Sequence, residues 1–163
     1  MIKSKLINIY LHFNEKEKKE FLDFVRSPVH NQHEGVTKLY QFIFGLSDIN
    51  PKSVLKEKAF KKVFGNIAFD NMKIIHVMSY LAKVMEDYLA FKEWKGQTYQ
   101  RDFYALKSFR RRRMEKLFQK KIKQFDKIKE KEGIKDTDYY YHKYKVGIEH
   151  VQYISEQNRN IDS

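Results

Sequence analysis

The segment from Asp70 to Lys95 repeats apolar side chains every seven residues, and this pattern constrains the fold more than any other feature of the sequence. Four of the seven helical positions are apolar, in rows formed by Ile74, Leu81 and Tyr88; Ile75, Ala82 and Leu89; Val77, Val84 and Phe91; and Met78 with Met85. A helix on a protein surface has about three apolar positions in seven. The segment is therefore predicted to be a long central helix that other helices contact on more than one side.

The remainder of the chain also has helical periodicity. Its 163 residues include only two prolines and six glycines, which is too few for a β fold that turns about every ten residues. We predict an all-α fold in two parts. Residues 1–96 form an N-terminal helical bundle around the long central helix, and residues 97–163 form an antiparallel segment that resembles a helical repeat.

Several residues predict where helices begin and end. Asn14 and Glu17 have the spacing of a capping box, and Pro28 predicts the end of the helix that this box begins. Ser53 is predicted to cap the next-but-one helix, with Leu55 on its inner face, and Asp70 to begin the long helix. Four glycines follow helical runs and are predicted to be left-handed caps: Gly45, Gly65, Gly96 and Gly133.

The motifs that mark common catalytic and cofactor sites are missing from the sequence. The chain has no cysteine, and no two of its glycines are closer than ten residues, which excludes thiolate metal sites, P-loops and dinucleotide fingerprints. It contains no nucleophile elbow and no His-Glu-x-x-His motif. We therefore expect no enzyme activity and no cofactor.

No stretch of the sequence has the composition of a membrane anchor or a secretory leader. There is no run of 18 apolar residues, and the segment from Leu6 to Phe13 is too short and too polar for a signal peptide. The sequence predicts a cytoplasmic protein that does not bind a membrane.

Two groups of polar residues could support chemistry but have a simpler interpretation. His30 and His33 are close enough to share a metal with Glu34, yet no fourth ligand lies at a suitable spacing. Glu86 and Asp87 point about 100° apart on a helix and therefore do not form a carboxylate pair. We interpret all five as ordinary surface or capping residues and predict neither a metal site nor a catalytic residue.

Positive charge is concentrated in one part of the chain. Residues 101–131 contain 13 basic and 4 acidic side chains and so carry +9 of the net charge of +12. On a helical projection, most of these basic groups fall within about 80° of one another. The candidate polyanion-binding residues are Arg110, Arg111, Arg112, Arg113, Lys116, Lys120, Lys123, Lys127 and Lys131.

This basic surface has two interpretations. It could bind the phosphates of a nucleic acid, or an acidic protein surface, because few acidic residues are near enough to neutralise it. It could equally be the solvated outer face of an amphipathic helix, since it has no interleaved aromatic residues for base stacking.

The last helix has two apolar faces. One face consists of Tyr140, Tyr144, Gly147, Ile148, Val151 and Ile154 and is predicted to point inward. The second consists of Tyr139, Val146 and Tyr153, which recur every seven residues and are predicted to contact a neighbour outside the fold. The expected neighbour is either the next helix of a longer chain or a second copy packed about a two-fold axis.

Several segments together resemble a family of uncharacterised bacterial proteins. They are residues 19–21, 27–31, 58–65, 70–91, 114–118 and 136–141, which follow one another through most of the chain. Members of this family are several times longer and contain further helices similar to tetratricopeptide repeats, and they usually have an aromatic pair where this chain has Val29 and His30. The resemblance implies a helical fold that forms the beginning of a longer array, and it implies no activity.

Two classes of function are consistent with these observations. The first is a non-catalytic helical scaffold or protein-interaction module with a protein partner. The alternative is a nucleic-acid-associated protein that binds phosphates through the basic helix at residues 110–131.

Overall fold

The computed structural model describes residues 1–131 and 137–161, apart from the side chains of residues 126–131, 138 and 158–161. These residues form helices and contain no strand, so the predicted all-α class is confirmed. The helices are α1 (Lys5–His12), α2 (Glu15–Arg26), α3 (Glu34–Phe44), α4 (Lys56–Phe64), α5 (Asn71–Gly96), α6 (Thr98–Arg111), α7 (Glu115–Lys131) and α8 (Thr137–Ile161).

The chain divides into two compact units, Met1–Lys92 and Glu93–Ser163. The sequence analysis placed the division between residues 96 and 97, at the end of α5, whereas the first unit ends one turn earlier on the same helix. The predicted likeness of the second part to a tetratricopeptide repeat stays a prediction.

Aromatic side chains form the centre of the first unit. Phe21 lies edge-on to Tyr40 and Tyr88, with ring centroids 4.6 and 5.3 Å apart, and Phe13 adds two further edge contacts. The Tyr40 hydroxyl donates a hydrogen bond of 2.7 Å to the carbonyl of Lys18, which satisfies its polar atom inside the core. These contacts join α1, α2, α3 and α5 around one apolar cluster.

Helix α5 is buried along most of the predicted rows. Its buried side chains include Ile74, Val77, Leu81, Met85 and Tyr88. The prediction was wrong for the last turns, because Leu89 is 38% exposed whereas Leu81 is fully buried. The first unit ends at Lys92, so the apolar pattern continues beyond the helices of that unit that cover it.

Some of the predicted helix ends are confirmed. Asn14 and Glu17 form the capping box, with hydrogen bonds of 2.9 and 3.0 Å, and the Asp70 carboxylate accepts from two backbone N–H groups at the start of α5. Ser53 does not cap α4: its hydroxyl bonds to Asn50, and α4 begins after an exposed Leu55.

The predicted left-handed glycine caps were mostly wrong. Gly65 has a φ of +80° and ends α4, but Gly45 is right-handed and Gly96 does not have a positive φ. Gly133 lies outside the described residues. Arg113 instead takes a positive φ of 55° in the turn between α6 and α7, where the short connection forces the chain to reverse.

The second unit has a separate core built from α6, α7 and α8. Helix α6 packs against both α7 and α8, and the buried side chains between them are Phe103, Leu106, Phe118, Ile122, Phe125 and Val146. None of the helices in the described part of the chain combines the length and apolar character that crossing a membrane requires.

Candidate functional site

The histidines proposed as weak metal candidates are engaged in ring contacts. His30 stacks on Phe24 with centroids 3.9 Å apart, and His33 lies beside Tyr80 at 5.8 Å. Glu86, from the carboxylate pair, forms an ion pair of 2.6 Å with Lys5. Among the described residues, no group of three or more histidine, cysteine or carboxylate side chains could hold a metal ion.

Two open clefts lie in the first unit. One, of about 410 Å³, lies between α1 and α5 and is lined by Leu6, Met78 and Ala82, with the Lys5–Glu86 ion pair beside it. The other, of about 850 Å³, is lined by His33 and other residues at the start of α3 together with parts of α4 and α5. Neither cleft contains a candidate polyanion-binding or partner-contact residue from the sequence analysis.

The candidate polyanion residues lie on the turn between α6 and α7 and on the outer side of α7. Arg111, Arg112 and Arg113 are exposed in this turn, where Arg112 bonds to the Ser108 hydroxyl. We call the exposed groups Arg111, Arg113, Lys116, Lys120 and Lys123 the basic face.

The lysines of the basic face point away from the core because their neighbours on α7 point into it. Phe118, Ile122 and Phe125 are buried, and the 100° step of the helix then places Lys116, Lys120 and Lys123 on the opposite side. Within the described part of the chain, none of these three lysines forms an ion pair, whereas Lys121 binds Asp102 at 2.7 Å. The side chains of the remaining candidates, Lys127 and Lys131, lie outside the described residues.

Arg110 does not belong to the basic face. Its Nε donates to Glu149 at 2.7 Å and it also binds Glu156, so that it links α6 to α8. The side chains of Arg110 and Glu149 are only 11% and 5% exposed. The hydrogen bond from Glu149 raises the pKa of the Arg110 guanidinium. We therefore exclude Arg110 from any polyanion surface, and the signal that the sequence analysis missed is a glutamate within an apolar helix face.

The predicted orientation of α8 was wrong. Val146, which was predicted to contact an outside neighbour, is buried against α6 and α7 and is 6% exposed. Tyr153 stacks on Phe118 with centroids 4.3 Å apart, and Tyr139 is half-buried. These three residues therefore contribute to the inner face of the second unit and are not available as a partner surface.

The face that was predicted to point inward is the exposed one. We define the outer α8 stripe as Tyr140, Tyr144, Ile148, Val151 and Ile154, all of which are exposed. Tyr144 and Val151, at its centre, are 66% and 64% exposed. The physical reason is that both faces of α8 are apolar at helical spacing, and the face that carries Glu149 turns inward because Arg110 on α6 neutralises that carboxylate.

The chain matches no protein-family model, no curated protein and no solved structure. The resemblance of its segments to a bacterial helical family therefore stays a prediction, and the geometry of the two surfaces carries the functional argument.

Proposed function

We propose that this chain is a non-catalytic helical protein-interaction module that binds a protein through the outer α8 stripe. The observation that carries the proposal is the exposure of five apolar side chains in a row on one helix whose other face is already packed. Single exposed apolar residues are common on proteins, but a continuous apolar patch is typical of an interaction surface.

The size of the stripe supports this interpretation. Its two tyrosines leave roughly 250 Å² in water, at about 200 Å² for each aromatic side chain, and the three aliphatic residues add on the order of 200 Å². A patch of about 450 Å² lies within the range of the largest apolar patches on monomeric proteins, which are often functional. The inner face of α8 has no comparable need for a partner.

A pull-down with matched variants tests the proposal. The tagged chain is compared with a stripe variant, Tyr144→Glu with Val151→Glu, and with a control, Leu117→Glu, which changes an exposed apolar side chain on α7. We expect the native chain and the control to capture the same protein, with or without nuclease, and the stripe variant to lose it. Equal capture by all three chains, with circular dichroism showing equal helix content, would contradict the proposal.

A second candidate function is polyanion binding through the basic face, and a specific observation favours it. Lys116, Lys120 and Lys123 extend along about 10 Å of α7 without an ion-pair partner among the described residues. Duplex DNA presents one negative charge per about 1.7 Å of its axis, so several phosphates lie within that length. Arg111 and Arg113 extend the positive surface into the adjoining turn.

Salt-dependent binding tests this second function. The triple variant Lys116→Glu, Lys120→Glu and Lys123→Glu should lose retention on heparin and on duplex DNA. The control, Lys61→Glu with Lys62→Glu and Lys73→Glu, changes the net charge equally on the first unit and should retain binding. Affinity should fall steeply with salt, because each phosphate contact releases close to one counterion. Equal loss in both variants would mean that only the net charge acts.

A further inference from the structure

The exposed positions of α8 have the spacing of a helix–helix seam. Tyr140, Tyr144, Gly147, Val151 and Ile154 follow one another at intervals of four, three, four and three residues, and all are exposed. This alternation is the spacing by which one helix packs along another. A helical occupant therefore fits the outer α8 stripe better than an extended segment or a small molecule does.

Gly147, at the middle of this seam, has no function within its own fold. A Cβ added to it would meet no atom within 4 Å, and its φ is not positive. Glycine inside a helix is less stable than alanine, so neither backbone conformation nor packing explains it. The absence of a side chain permits the backbone of another helix to approach closely at this point.

The seam is complementary to itself when reversed about Gly147. The large residues Tyr140 and Tyr144 lie on one side of the glycine, and the smaller Val151 and Ile154 lie at matching distances on the other. An antiparallel pair of such helices places each tyrosine opposite an aliphatic side chain, so large and small residues interdigitate.

A parallel pair is less favourable for steric and electrostatic reasons. It would place each tyrosine opposite its own copy and bring the two Lys143 ammonium groups together at the edge of the seam. In the antiparallel pair the two lysines are eight residues apart in register, or about 12 Å, which exceeds the distance over which physiological salt screens charges.

We infer that the partner of the outer α8 stripe is a second copy of this chain, bound antiparallel with the two Gly147 residues adjacent on the two-fold axis. This inference rests on the proposed protein-interaction function and names its partner. Two stripes would bury on the order of 900–1,000 Å² in total, which is near the lower limit for a specific interface. The dimer is therefore reversible and depends on concentration.

Sedimentation equilibrium of the full chain over micromolar to high micromolar concentrations tests the dimer. Gly147→Leu keeps α8 helical, because leucine favours helix more than glycine does, but it fills the space on the axis and should weaken dimerisation at least tenfold. The control Leu117→Glu should leave it unchanged. A native chain that remains monomeric throughout, or a dimer that Gly147→Leu does not affect, overturns the inference.

Disulfide cross-linking tests the orientation, since the chain has no cysteine of its own. Under mild oxidation Gly147→Cys should cross-link to its own copy. Tyr140→Cys should cross-link only when mixed with Ile154→Cys, because a disulfide requires Cα atoms within about 7 Å. Self-linking of Tyr140→Cys would show a parallel pair and overturn the antiparallel arrangement. A monomeric chain that still loses its captured protein on Tyr144→Glu with Val151→Glu would refute the second copy and leave the proposed function intact.

Discussion

The ion pair between Arg110 and Glu149 gives the most direct test of how the second unit is packed. Glu149 is buried, and its carboxylate receives the Arg110 Nε at 2.7 Å. Replacing Arg110 by methionine keeps most of the side-chain volume but leaves that carboxylate without its cation. Removing one partner of a buried pair typically costs about 3–5 kcal/mol.

A limit on this cost follows from the chemistry of the carboxylate. A stranded carboxylate can take up a proton, and protonating an ordinary glutamate at pH 7 costs about 3.5 kcal/mol at about 1.4 kcal/mol per pH unit. We therefore expect Arg110→Met to reduce the free energy of unfolding by about 3 kcal/mol at pH 7, and by clearly less near pH 5. Glu149→Gln should cost less than Arg110→Met, because Arg110 retains its bond to Glu156.

Urea denaturation followed by circular dichroism measures these differences. The double variant Arg110→Met with Glu149→Leu should recover most of the lost stability, because a buried pair can be replaced by apolar side chains at little cost. The control is Glu34→Gln, which breaks an exposed ion pair with Lys38 and should cost less than about 1 kcal/mol. A cost for Arg110→Met as small as that of the control, and independent of pH, would refute the described packing of α8 on α6.

Three further predictions concern the first unit. Leu81→Ala should cost about 2–5 kcal/mol in urea denaturation, whereas Leu89→Ala should cost less than about 1 kcal/mol because Leu89 is partly exposed; equal costs would contradict the described burial of α5. Burial raises the pKa of Tyr88 to about 12. The stability that depends on its protonated hydroxyl should therefore be complete below about pH 10 and be lost as the pH rises towards 12; an alkaline unfolding curve that Tyr88→Phe leaves unchanged would refute this. Asn14→Ala should cost about 1 kcal/mol by removing the capping box, and thermal denaturation that shows no loss would contradict it.

The local features of the chain were predictable because they depend on residues close in sequence. The capping box at Asn14, the start of α5 after Asp70 and the buried row through Leu81 each follow from residues within a turn or a few turns of one another. The basic face was also predictable in large part, because the buried positions of a regular helix determine which positions are exposed. The glycine caps failed because a helix can also end without a left-handed residue.

The orientation of α8 could not be predicted from its sequence. Its two apolar faces have similar composition and the same helical period, so periodicity alone does not indicate which one is buried. The stacking of Tyr153 on Phe118 and the pairing of Arg110 with Glu149 involve residues that are 35 and 39 positions apart.

The sequence by itself determined that this chain is helical, where most of its helices lie and where its positive charge is concentrated, because these properties arise from spacing and composition along each helix. Only the tertiary structure decided which face of α8 is free and that Arg110 belongs to the core of the second unit instead of the basic face. The physical reason is that a charge is buried only where a partner from another helix neutralises it, and the contact between Arg110 and Glu149 exists only after α6 and α8 have packed together.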